Sequence, residues 1–222
     1  DTARLRAGIF VGYFLNMISG SYDNLDVIAF SHGCNVALVA ANNLINGCKI
    51  RECIALAPPM IEDNGWFYSP HNIKYFFPFI SQGDAVAPLG RFWSKEPYDK
   101  QGRIYKHPCE WSGVVTNMHY THDNEHPSHT QLPVCVSRIL VEIMDQVYAE
   151  YLYDTCVRNL SINWVSPELC DIHKVKPLNI SLFPHSSQEE EVYGKKLRLE
   201  TIYTSAQREQ EHEMVYKRPK NA

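Results

Sequence analysis

Apolar residues recur along this chain in two alternating rhythms. From Thr2 to Met17 they fall at Leu5, Ile9, Phe10, Tyr13 and Met17, close to the helical repeat, with Asp1 and Thr2 supplying capping oxygens and Gly20 closing the run. The spacing predicts a buried helix. Asp26 to Phe30 is a short apolar run of the kind found in a buried parallel strand, and Asn35 to Leu44, rich in Ala, Val and Leu, reads as a helix ending before Gly47. The rhythm then repeats, with strands predicted at Ile50 to Leu56 and Ile73 to Ile80, a break at Pro58-Pro59, and a loop-rich stretch from Asp84 to Pro108. Gly113 to Met118 forms a further strand, and Pro133 opens a long helix whose Val136, Leu140, Ile143, Val147 and Tyr151 share one face. Strands alternating with helices predict an α/β fold, a mostly parallel sheet flanked by helices.

The texture changes after residue 153. Strand-like fragments at Asn179 to Phe183 and Lys196 to Tyr203 are separated by the polar run Ser186 to Glu191, and Gln207 to Ala222 is charged. The expected organisation is a core over 1–153 and a C-terminal extension over 154–222, with short strands and a charged tail, that serves packing or a partner.

Composition narrows the function classes. With 222 residues, 45% of them apolar, the chain can bury one sizeable core. A formal charge of −4, from 21 basic and 25 acidic residues, gives no electrostatic reason to expect nucleic acid as a partner. Seven cysteines, at 34, 48, 53, 109, 135, 156 and 170, form no Cys-x-x-Cys pair, which argues against a zinc knuckle and points to a reducing, cytoplasmic setting. The longest early apolar stretch, Ala7 to Ile18, is too short and interrupted for a spanning helix and lacks the flanks of a signal peptide. The chain opens on Asp rather than Met, from which a processed or truncated protein is expected.

Candidate chemistry centres on Ala29-Phe-Ser-His-Gly33, where a strand gives way abruptly to a helix. Such a turn sits at the carboxyl end of a parallel sheet, where open α/β folds place their ligands, and it calls for small residues around the serine. By itself Ser31 also suits the cap of the following helix. The run Phe30-Ser-His-Gly-Cys-Asn-Val-Ala-Leu38 resembles the nucleophile elbow of the α/β-hydrolase superfamily, in its lipase- and esterase-like members, with Ala29 in place of the first glycine of Gly-x-Ser-x-Gly.

The resemblance implies a chain order of nucleophile, acid and histidine. Asp84, in Gln82-Gly-Asp-Ala-Val-Ala-Pro88 after a predicted strand, fits the acid, though Gly-Asp is also an ordinary turn dipeptide. His119, His122, His126 and His129 all lie between the last predicted core strand and the Pro133 helix. His129, nearest the helix, is the expected base and His126 the alternative. The backbone N–H of His32 would supply half of an oxyanion hole. With Asp123 and Glu125 the four histidines also admit a metal site, although neither His-Glu-x-x-His nor a Cys/His finger is present.

The resemblance covers residues 1–150 but only the later half of the family fold. It implies further N-terminal strands and a second oxyanion donor, supplied by an upstream segment or a partner chain. It also implies a small-molecule or lipid carboxylic ester as substrate and no cofactor. Trp66-Phe-Tyr68 is a candidate apolar wall for an acyl group. The competing expectations are an inactive hydrolase-derived interaction subunit and a metal-binding module.

Overall fold

The computed structural model describes residues 2–45, 47–59, 72–86, 114–151 and 157–182. Their elements run α1 (Thr2–Ser19), β1 (Leu25–Phe30), α2 (His32–Asn42), β2 (Ile50–Leu56), β3 (Ile73–Ile80), β4 (Val114–His122), α3 (Gln131–Glu150), β5 (Val157–Trp164), α4 (Pro167–His173) and β6 (Leu178–Leu182). The six strands form one sheet in chain order, β1-β2-β3-β4-β5-β6. All neighbours are parallel except the antiparallel pair β5–β6. The chain is thus α/β with a mostly parallel sheet.

Side chains alternate across the pleat, so the sheet has two apolar faces. Cys53, Ala55, Ile73, Phe76 and Val115 pack on one side beneath Leu38, Val39 and Ala41 of α2 and Leu15 of α1. Ile54, Leu56, Phe77, Phe79, Met118, Tyr120, Leu160 and Ile162 pack on the other beneath Leu132, Val136, Ile139, Ile143 and Val147 of α3.

Helix α1 departs from the expected face. Phe10 and Met17 are 74% and 79% exposed, and Ile9 and Tyr13 are also exposed, while Gly8, Gly12 and Leu15 are buried. A Cβ on Gly8 would come closer than 3.0 Å to Val39, and one on Gly12 would crowd Ala40 and Asn43. The helix docks on α2 through its glycines, because only their missing side chains allow that approach. The predicted stripe counted large apolar residues and so selected the opposite side.

Strand β1 is parallel as expected but lies at the sheet edge among the described residues, with Ile28 63% exposed and Phe30 half-exposed. Strand β4 outruns its predicted end at Met118 and continues to His122. Polar side chains disguise its end, yet Thr121 there donates across the ladder to Asn163 at 2.9 Å, as Asn117 within the predicted span does to Asn159 at 3.1 Å.

The boundary expected at 153/154 does not separate a core from an appendage. Strand β5 pairs with β4 over its whole length, its Leu160 and Ile162 are buried in the core, and the compact unit runs to Phe183. Lys196 to Tyr203, the polar run and the charged tail lie outside the described residues, as do Trp66 to Tyr68, Cys109 and Cys156. The five described cysteines, 34, 48, 53, 135 and 170, are free thiols. Among the described residues no helix is long and apolar enough to cross a membrane.

Candidate active site

Because β1, β3 and β4 are parallel, the segments leaving their carboxyl ends collect on one side of the sheet. Ser31 leaves β1, Asp84 follows β3, and His129 lies in the connection from β4 to α3.

Ser31 has φ 52° and ψ −130°, a combination sparsely populated by residues with a side chain. Its amide donates to the Leu56 carbonyl at 2.9 Å, and its carbonyl accepts from the amide of Cys34 to begin α2. The hydroxyl makes no capping bond. It stands 2.9 Å from His129 Nε2 instead. Ser31 therefore occupies the cap position, while its side chain is turned to the imidazole. Helix α2 begins at His32, three residues before its predicted start, as the sharp turn requires. Gly33 is less constrained than the motif suggests: a Cβ there meets nothing within 4 Å among the described residues.

His129 is buried, and its Nδ1 lies 2.8 Å from Asp84 Oδ2. The side chains of His129 and Asp84 are 11% and 7% exposed. An ionised carboxylate only accepts, so Nδ1 carries the proton and donates to Asp84. In the neutral imidazole Nε2 is then the acceptor and the Ser31 hydroxyl donates to it. The other Asp84 oxygen accepts from the Val86 amide at 2.9 Å, closing a local turn that fixes the carboxylate. Phe30 lies against the imidazole, ring centroids 5.0 Å apart and planes tilted by 41°.

The base loop is held from its helical end as well. Gln131 Oε1 accepts from the Ser128 amide at 3.0 Å and from the Ser128 hydroxyl at 2.8 Å, on either side of His129 in the chain. This resembles a capping box, and Ser128-x-x-Gln131 was a legible signal for it. Helix α3 accordingly starts at Gln131, and Pro133 is its third residue, where an amide would still lack an intrahelical acceptor.

The other candidates fall elsewhere. His126 is exposed, and its backbone rather than its ring meets the acid loop at Gly83. His119 and His122 belong to β4, three residues apart, and so point to opposite faces. His122 Nδ1 pairs with the Tyr120 hydroxyl at 3.0 Å. The histidine cluster does not converge: among the described residues no three His, Cys, Asp or Glu side chains are placed to hold a metal.

The His32 amide is in the first turn of α2, where helical N–H groups lack intrahelical acceptors and point outward. Its ring is exposed, with Nδ1 3.4 Å from an Arg4 nitrogen. Cys34, three residues after Ser31 in the chain, is unsuited as a nucleophile. Burial, reinforced by Cys53, pushes its thiol well above the ordinary range, so at neutral pH it is not a thiolate.

Comparison of the chain with protein-family models, with curated proteins and with solved structures returns no match.

Proposed function

We propose that this protein is a serine hydrolase of the α/β-hydrolase type, cleaving carboxylic esters through an acyl-enzyme. The observation that carries the reading is the unbroken line Asp84–His129–Ser31, at 2.8 and 2.9 Å, ending on a serine with a left-handed φ at a strand-to-helix turn. Each residue has the chemistry its place demands. Ser31 Oγ attacks the ester carbonyl while its proton passes to His129 Nε2, and the carbonyl electron pair moves onto oxygen. Asp84 holds the imidazole tautomer and stabilises the imidazolium. The His32 N–H faces the developing oxyanion. Collapse breaks the ester C–O bond, and the alcohol leaves with the proton from Nε2. Water then repeats the sequence on the acyl group, with His129 again taking and returning the proton. Phe30 gives the site an apolar wall beside the base, which favours an ester with an apolar group.

The edge position of β1, its exposed Ile28 and the exposed flank of α1 support a further strand beside β1, from an additional segment or a partner chain. The test therefore uses the full-length or co-expressed protein. A fluorophosphonate probe should label it covalently. Labelling should vanish in Ser31→Ala, fall at least about 100-fold in rate in His129→Ala, and persist in His126→Ala. A folded protein that remains unlabelled refutes the proposal.

A further inference from the structure

We infer that Ser81 and Gly83 are positioning residues that lock the acid loop onto the base loop and so set the Asp84–His129 contact. The inference rests on the hydrolase reading and extends it to two residues with no role in the bond-making steps. Ser81 is buried at the end of β3, and its hydroxyl donates to the Pro127 carbonyl at 2.7 Å, two residues before His129. A carbonyl can only accept, so the direction of that bond is fixed. The same oxygen accepts from the Gly83 amide at 3.2 Å, and the Ser81 carbonyl accepts from the Asp84 amide at 3.1 Å. One serine thus shapes the turn that presents Asp84 and ties that turn to the chain that presents His129.

Gly83 completes the contact. A Cβ on it would come closer than 3.0 Å to the carbonyl carbon and oxygen of His126 and to the Pro127 carbonyl oxygen. These are backbone atoms, so no rotamer change relieves the clash. The two loops meet main chain to main chain, and the gap is set by the absence of a side chain. With Ser128 and Gln131 holding the other end, His129 is fixed on both sides along the chain.

A displacement of about 1 Å between acting groups costs on the order of 100-fold in rate, so a clamp of this kind shows in catalysis before it shows in folding. The experiment measures fluorophosphonate labelling of full-length or co-expressed protein as two quantities, the final labelled fraction and the rate constant of labelling, with kcat and KM on a simple aryl ester. Ser81→Ala and Gly83→Ala should keep the full labelled fraction while the rate constant and kcat fall about 10- to 100-fold and KM stays within about twofold. Ser81→Thr, which retains the hydroxyl, should recover most of the rate. Rates within twofold of wild type in both variants overturn the inference. So does a labelled fraction that falls while the surviving molecules react at the wild-type rate, because that marks a purely structural role. A folded wild-type protein that is not labelled at all defeats the hydrolase reading itself, and the clamp with it, and is distinguished by failing before any variant is compared.

Discussion

Ser31 is held where an L-residue carries about 1–3 kcal/mol of backbone strain, and its hydroxyl forgoes the helix-cap bond that its position offers. Both costs make sense if the side chain serves the imidazole. Asp84 is the residue that makes this reading quantitative. Asp84→Asn preserves shape but presents an amide that can donate to Nδ1, which favours the tautomer with its proton on Nε2 and removes the acceptor that Ser31 needs. The expected loss is on the order of 10³- to 10⁴-fold in kcat with little change in KM, read from steady-state ester hydrolysis. A loss below tenfold would mean that Asp84 does not orient the base. Ser31, Asp84 and His129 were each legible in the sequence, because a turn motif, a Gly-Asp loop and a histidine before a helix are local features. Ser81 was not, since a serine at a strand end carries no mark of the carbonyl it reaches 46 residues away.

Among the elements, the α1–α2 pair shows how spacing misleads when small residues form the contact. Ile9, Phe10, Tyr13, Phe14 and Met17 of α1 are exposed, while Gly8 and Gly12 face α2 and Leu15 enters the core. Replacing a helical glycine by alanine ordinarily stabilises by about 1 kcal/mol. Here the added methyl meets Val39 or the Ala40 backbone, so Gly8→Ala and Gly12→Ala should instead destabilise by about 1–3 kcal/mol, seen as a lower urea midpoint at unchanged slope. An increase in stability would contradict the close approach of the helices. Strand β4 teaches the complementary point. His119 is buried beyond the predicted end and Thr121 donates across the ladder to Asn163, and a reading by hydrophobicity stops at Met118 because it is blind to such cross-strand bonds with β5.

For the whole molecule, the sheet continues through β5 and β6, so residues 157–182 are part of what holds the sheet that carries the site. Leu160 and Ile162 are fully buried, worth about 1.5–3 kcal/mol each, against a total stability of about 5–15 kcal/mol for a domain. Ending the chain at 153 also strips β4 of its partner on one side. Such a truncation should lose cooperative unfolding and probe labelling together, followed by circular dichroism and the fluorophosphonate assay. A truncated chain that still unfolds cooperatively would restore the view of residues 157–182 as dispensable. The edge strand β1 is the other feature of this scale: it carries Ser31 at its end and offers unpaired backbone along its outer side among the described residues.

The sequence by itself determined where most of the described strands and helices lie, that the strands are mostly parallel, and that a serine stands at a sharp turn with an acid and a histidine following in order. These are short-range matters, governed by side-chain periodicity and turn chemistry over a few residues. Tertiary structure alone decided which side of α1 is buried, that β5 and β6 belong to the sheet, and that the Ser31 hydroxyl and the His129 ring, the base expected from the sequence, come within hydrogen-bond distance. Each depends on groups brought together from distant parts of the chain, Ser31 and His129 being separated by 98 positions. Local periodicity does not specify such partners; they follow from sheet order and from backbone surfaces close enough to touch, as at Gly8 and Gly83.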